Sequence, residues 1–428
     1  MPTTRSFSAM LNEYLPNELL AEEFIKRDWF LQNVQRDEAW LGGDTIVPFE
    51  GAQASSVKFG GLTDESDISE YQYVRGKLAG YKEVWGSLIF NETDIMQHGV
   101  VNEQNFLKML PGQVDKFVEY MKMAVSINLL GGPHFAKITD ATNAATGVLV
   151  VDKIDRFTIG QKLTLSDNGG VAEHYENLYV ITINIDDSKI ILSATRGGAF
   201  GDLSGAGTLF NGVGVSTAFK FYHDGIAVAG VATNGFNTVK SALLSSANGG
   251  SATLHGVSKT AWPFLQAVNI SGATISSTNI LDKLFDAWGT MKIKAKAANP
   301  DKCVMSYKHL ATIMKLIETD KSPFRVTATQ TTANKYNWTE INVTGVRGGF
   351  SLVGIQEMED EVIEFLDMSA MTFRTNGFFQ KKKGLDGLEY YRIRSTSGFK
   401  DISDVCLFGE LEVTEPAKCG IIHSISNY

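Results

Sequence analysis

The stretch 113–132, QVDKFVEYMKMAVSINLLGG, decides how this chain is laid out. Val114, Phe117, Val118, Met121, Ala124, Val125 and Leu129 recur at i, i+3, i+4 and i+7, the spacing that gathers apolar side chains on one face of an α-helix. Asp115 stands in the first turn of the quoted run, where a carboxylate suits the positive helix end. Gly131, Gly132 and Pro133 stop the helix. The helical pattern begins near residue 102, and Gln113 to Leu130 alone would span about 27 Å. Such a helix is a structural spine. Its packing residues are expected to be Val114, Phe117, Val118, Met121, Val125 and Leu129.

Upstream of the spine, which with its flanks covers 98–135, residues 44–97 read as extended chain. Thr45 to Phe49 form a strand that Pro48 confines to an edge. Val57-Lys58-Phe59 continues outward, Thr63 to Asp67 make a polar tip, and Tyr71 to Leu78 return with strand alternation. Val84 to Phe90 follow as part of the same long two-stranded arm. Residues 44–70 hold six acids and one lysine, whereas 71–83 hold Arg75, Lys77 and Lys82 against Glu83. A lone ribbon is marginally stable in water, so this arm must either fold back or lie across a neighbouring subunit. Its candidate interface residues are Lys58, Asp64, Glu65, Asp67, Tyr71, Tyr73, Arg75, Lys77, Tyr81, Lys82 and Trp85. The aromatic members would act as buried anchors. Before the arm, 1–43 is an N-terminal segment with Leu19, Leu20, Phe24, Ile25 and Leu31 at helical spacing, closed by Gly42-Gly43. It is too short to own a core.

Downstream of the spine the period switches to two. Val148–Val151, Phe157–Ile159, Lys162–Leu165, Tyr179–Ile183 and Ile190–Ser193 read as strands, with Asp186 to Lys189 turning between the last two. Residues 136–215 are therefore expected to be a small inserted β-barrel. Residues 216–390 mix helices and strands, with an amphipathic helix over Asn279–Met291 that Thr278 would cap, a buried strand at Lys302–Ser306 and a helix from His309 to Ile317. Residues 391–428 close the chain as strands. The fold class is α+β.

Charged residues make up 20% of the chain and the formal net charge is −9, with no dense basic cluster of the kind that grips nucleic acid. The longest basic run, Lys381-Lys382-Lys383, reads as a solvated turn, as does the densest acidic run, Glu357 to Glu361. No stretch approaches the apolar length of a membrane span, and the first residues lack the apolar core of a secretion signal. Cys303, Cys406 and Cys419 show neither metal-ligand nor redox spacing, which suits reduced thiols and cytoplasmic synthesis.

The search for chemistry finds no catalytic, metal or cofactor constellation. Gly212-Val213-Gly214 lacks the third glycine and the acidic residue of a dinucleotide loop, and Gly250 to Lys259 lacks phosphate-loop spacing. His98, His134, His174, His223, His255, His309 and His423 are scattered, with no pair at zinc-binding spacing. The chain is expected not to be an enzyme. A β-rich hydrolase whose site assembles only in space is the alternative from another class.

The order of arm, spine helix, inserted β-module and mixed domain resembles the Hong Kong 97-type major capsid proteins of tailed bacteriophages. Local stretches are similar as well. These are His255 to Leu265, Leu281 to Ala287 followed by Pro300 to Ser306, Val353 to Ile355, Ile363 to Ser369, and Glu410 to Ala417; Phe157 to Leu165 resembles insertion modules of some members. The resemblance implies a virion shell protein assembled in the host cytoplasm as hexamers and pentamers of an icosahedral head. The arm would be the extended loop (E-loop) that overlaps a neighbour, 98–135 the spine of a peripheral domain, 216–390 mainly the apical domain, and 391–428 the closing peripheral strands. Implied partners are further copies of the chain, a separate scaffolding protein, a portal and packaged double-stranded DNA held without sequence specificity, with no membrane. An encapsulin-like compartment shares the implied fold. No lysine–asparagine cross-link carries over, because no catalytic acid or partner asparagine matches.

Overall fold

The computed structural model describes residues 17–50, 73–91, 103–132, 134–167, 174–199, 215–228, 231–232, 235–294, 300–319, 326–327, 338–345, 348–382, 391–395 and 398–425. The expected tip of the arm, with Lys58, Asp64, Glu65, Asp67 and Tyr71, lies outside them. The chain divides into two compact units, one of 1–122 with 239–428, the other of 123–238.

The first unit opens with helices α1 (Asn17–Arg27) and α2 (Trp29–Asn33), then strands β1 (Gln35–Asp37), β2 (Thr45–Glu50), β3 (Tyr73–Leu78) and β4 (Lys82–Asn91), and helix α3 (Glu103–Ser126). The buried Asp28 starts α2 by accepting the Leu31 N–H at 2.8 Å, a local cap of the kind Ser, Thr, Asp and Asn side chains supply. The helical segment ends here, well before Gly42. Val34 turns extended, and β1 runs parallel to a later strand, with Gln35 opposite Thr372. The small α1–α2 pair has no core of its own: Phe24 lies edge-on to Phe379 at 4.9 Å. Helix α3 starts at Glu103, so Asp115 sits mid-helix and pairs with Arg27 at 2.5 Å.

The second unit begins in the last residues of α3 and a π-helical turn, Ile127–Gly131. Strands β5 (His134–Asp140), β6 (Val148–Val151), β7 (Lys162–Asp167), β8 (His174–Asn184), β9 (Lys189–Ser193) and β10 (Phe219–His223) then form a closed antiparallel barrel in the order β10-β5-β6-β9-β8-β7. Its limits exceed the expected 136–215. β10, read as part of the following mixed region, is the stave that joins β5 to β7. Alternate residues face inward: Leu163 and Leu165, Leu178 and Val180, Ile190 and Leu192. Phe157 stands edge-on between Phe135 and Phe221, at 4.9 and 5.3 Å. A barrel leaves no open sheet edge. The hairpin β11 (Ala227–Val228) and β12 (Val231–Ala232) follows.

Returning to the first unit, the chain forms α4 (Val239–Leu243), β13 (Thr253–Leu254), β14 (Val257–Ser258), β15 (Val268–Ser271), α5 (Ile280–Lys294), β16 (Lys302–Ser306), α6 (Tyr307–Thr319), β17 (Val326–Thr327), β18 (Trp338–Gly345), β19 (Gly348–Ile355) and β20 (Ile363–Leu366). It closes with β21 (Met371–Thr375), β22 (Gln380–Lys381), β23 (Tyr391–Ser395), β24 (Gly398–Val413) and β25 (Gly420–His423). A seven-stranded mixed sheet, β15-β25-β20-β16-β19-β18-β17, packs under α5 and α6. Leu284, Trp288, Met291, Leu310 and Ile313 meet Cys303, Met305, Phe350 and Phe365 there. At the start of α5 the first helical bond, from Lys283 N–H, goes to the Asn279 carbonyl. Asn279 rather than Thr278 therefore occupies the cap position.

The second sheet of this unit is built on the sixteen-residue β24, which pairs with β21, β22, β23 and β4. β4 is not an extension of the arm. It runs antiparallel to β24 from Lys82 opposite Gly409 to Asn91 opposite Lys400. The chain turns after Leu78, so Lys82 and Trp85 belong to this sheet. Gly86 shows how the spine lies on it. A Cβ there would stand 2.6 Å from both Met121 Sδ and the Phe117 ring. Val114, Val118 and Met121 are buried, and Phe117 partly so. Val125 and Leu129 are also buried but fall within the second unit, Leu129 in the π-helical turn.

Two expected solvated turns are instead buried in part, with Lys382 and Glu361 exposed and Lys383 outside the described residues. Glu357 accepts a salt bridge from Lys122 of α3 at 2.8 Å, and Glu359 one from Lys240 of α4; both carboxylates are almost wholly enclosed. Lys381 is buried in β22, and Lys382 stands 5.5 Å over the Trp85 ring. For the acidic run the reason is that short-range charge density says nothing about lysines brought in from distant segments; for the basic run it is that β22 pairs with β24, beside β4.

Candidate assembly interface

Strands β2 and β3 form a two-stranded hairpin base, Thr45 opposite Leu78 through Glu50 opposite Tyr73. Strand alternation gives it two unlike faces. Val47, Phe49, Gly76 and Leu78 point to the buried side. Ile46, Tyr73, Arg75 and Lys77 point out, with Ile46 63% and Tyr73 61% exposed. Lys77 is paired with Asp44 at 2.6 Å. Isolated exposed residues need no explanation, but a ribbon with no third strand among the described residues and apolar groups on its open face does.

The buried face is clamped by the two-residue loop His255-Gly256 between β13 and β14. Both residues have positive φ, 47° and 81°, and Leu254 faces Val257 across the loop. That is the type I′ geometry, in which histidine is among the side chains that tolerate the left-handed region. The His255 carbonyl accepts the Lys77 N–H at 2.7 Å. Its imidazole lies parallel to the Phe49 ring, centroids 6.0 Å apart. Its Nε2 accepts the Val413 N–H of β24 at 3.1 Å. One residue thus touches β2, β3 and β24. Burial pushes the imidazole down to about 4.

Gly76 is what lets the hairpin approach. A Cβ there would stand 2.5 Å from the Phe49 ring and 3.2 Å from the His255 carbonyl oxygen. Gly76→Ala is expected to destabilise this root by about 1–3 kcal/mol through overpacking. Hydrogen exchange at the Lys77 amide reads the loss directly; unchanged protection would contradict this packing.

The other expected anchors are distributed differently. Tyr81 sits at the root, edge-on to Trp40 and Phe408 at 6.5 and 5.1 Å. The Trp40 indole N–H donates to Gly43 O at 3.0 Å and to Thr45 Oγ1 at 2.9 Å. Trp85 lies on the outer face of β4, its indole N–H donating to Glu83 at 2.8 Å. With Ile89 of β4 and Tyr391 of β23 it makes an exposed apolar row on the face opposite α3. Ser87 Oγ donates to Asp404 at 2.6 Å within that row. Among the site residues expected from sequence, the hairpin base brings together Tyr73, Arg75 and Lys77. Tyr81, Lys82 and Trp85 belong to the root and the sheet. Ile46, Ile89, Tyr391 and His255 are not among the site residues expected from sequence. The readable signal for His255 was a His-Gly pair between two short alternating runs.

Among the described residues no group of three or more His, Cys, Asp or Glu side chains could hold a metal ion, and no helix is long and apolar enough to cross a membrane. All three cysteines are buried and free. No family model and no curated protein matches the chain. Solved structures do resemble it at low identity. The capsid of a native GTA particle is 8% identical, with a TM-score of 0.43, over 92% of this chain and 90% of that one. The cyanophage A-1(L) capsid is 10% identical, with a TM-score of 0.43, over 95% and 93%. The holo-SrpI encapsulin complex of Synechococcus elongatus PCC 7942 is 8% identical, with a TM-score of 0.41, over 100% and 93%. The functional reading rests on the chain's own geometry.

Proposed function

We propose that this chain is the structural subunit of a closed protein shell, a tailed-phage major capsid protein in which each hairpin overlaps a neighbouring copy. The observation that carries this is the hairpin base. It is held on one face by Phe49, Gly76 and His255, and it offers Ile46 and Tyr73 on the other, with no third strand in its sheet among the described residues. The exposed Trp85, Ile89 and Tyr391 add apolar surface that a subunit–subunit contact would cover.

Hexamers and pentamers of an icosahedral head follow from head-to-tail contacts that close into rings. In this reading a scaffolding protein, a portal and packaged DNA are the partners, and the net charge of −9 keeps the shell from gripping its contents. The arm's acidic residues Asp64, Glu65 and Asp67 and its exposed Arg75 would add ion pairs to a neighbour of about 0.2–1 kcal/mol each, weak enough for misplaced subunits to detach. Deleting residues 64–69 is expected to leave a folded subunit that assembles poorly. Circular dichroism together with sedimentation of the deletion tests this, and normal shells from it would refute hairpin overlap.

A further inference from the structure

The hairpin, the β13–β14 turn and β24 meet at a single titratable side chain. The Val413 N–H requires a lone pair on His255 Nε2, which a protonated imidazole does not have. The same ring faces Phe49. We propose that His255 is a proton-operated latch that fixes the root of the β2–β3 hairpin to β24 and releases it in acid. This goes beyond the shell reading but does not depend on it, because the contact lies within one chain.

The charged groups on the elements around His255 are otherwise engaged. On β3, Arg75 is exposed and Lys77 is paired with Asp44. On β24, Glu412 is held by Arg374, which also binds Asp37 at 2.5 Å, and a Glu410 carboxylate oxygen accepts the Leu411 N–H at 3.0 Å. Beyond β14, Lys259 donates to the carbonyls of Ser241 and Leu244 at 2.8 and 3.0 Å. Protonation of His255 would place a cation next to the Val413 N–H in a buried site, where an unpaired charge is strongly disfavoured.

In the released hairpin the imidazole regains its ordinary value near 6.5, against about 4 when latched. Below pH 6.5 the released form therefore takes up a proton that the latched form refuses. The opening equilibrium should rise about tenfold per pH unit and level off near pH 4, about 300-fold in all.

The test is hydrogen exchange of the unassembled full-length chain between pH 7 and pH 4, corrected for the intrinsic pH dependence of exchange. The reporters are the Lys77 and Val413 amides, with amides of the β16–β20 ladder as control. His255→Gln keeps an acceptor that does not titrate; His255→Phe keeps the ring on Phe49 and removes the acceptor. The latch predicts that wild-type Lys77 and Val413 lose protection together as pH falls while the control ladder, which carries Glu364, keeps or gains protection, and that both variants are flat with pH. Wild-type protection that is flat, or the same acid loss in a folded variant, would overturn it. If both variants fail to fold, the wild-type profile alone decides. Because the chain is unassembled, neither result depends on whether it forms shells.

Discussion

Lys122→Ala is expected to destabilise the unit containing α3 and the seven-stranded sheet by about 3–5 kcal/mol, because it strands a buried carboxylate. Burial works against the Lys122 charge. Glu357 at 2.8 Å, with Glu119 and Asp28 nearby, outweighs it and holds the ammonium above its ordinary value. Removing the lysine leaves Glu357, itself only 4% exposed, without its cation. An effect of that size on a unit whose total stability is about 5–15 kcal/mol should be plain in a denaturant titration. The paired replacement Lys122→Met with Glu357→Leu should recover most of the loss, since apolar side chains of similar volume commonly match a buried ion pair. A single variant as stable as the wild type would mean that the pair is not enclosed as described.

Glu364→Gln is expected to flatten the pH dependence of stability between about pH 6.5 and 8, above the window in which His255 contributes. Glu364 sits mid-sheet on β20, opposite Val304 and Ile421. It is fully buried, and neither carboxylate oxygen has a hydrogen-bond partner among the described residues. Burial pushes its carboxyl up to about 8; Lys240 pulls it down, and Glu359 adds to the rise. The folded chain therefore keeps a proton that the unfolded chain loses above its ordinary value of 4.5. Stability falls as pH rises through that window, by up to about 1.4 kcal/mol per pH unit, and levels off above the folded value. Denaturant midpoints of wild type and variant at pH 5, 6, 7 and 8 check this. Parallel curves would show that Glu364 is ionised or solvated at neutral pH.

These two sites also mark the boundary of what the sequence makes legible. The spine helix and the alternating strands are readable because their apolar period is a local property. Val114, Val118 and Met121 declare one face wherever the helix lies. The root of the hairpin is readable for the same reason. What β4 pairs with is not, because Lys82 meets Gly409 more than three hundred residues away. Glu357 and Glu359 look like a solvated turn until α3 and α4 bring lysines to them. β10 looks like the start of the next region until it closes the barrel. His255 is one scattered histidine among seven until the turn that carries it is seen against Phe49 and Val413. The arm's tip is readable only as composition.

The most direct measurement of the central claim is sedimentation with negative-stain imaging of the purified full-length chain over a range of concentrations, alone and with a candidate scaffolding protein. The shell reading predicts rings or closed particles of uniform size that form cooperatively with concentration. A chain that stays monomeric under every condition, with no rings, would contradict it.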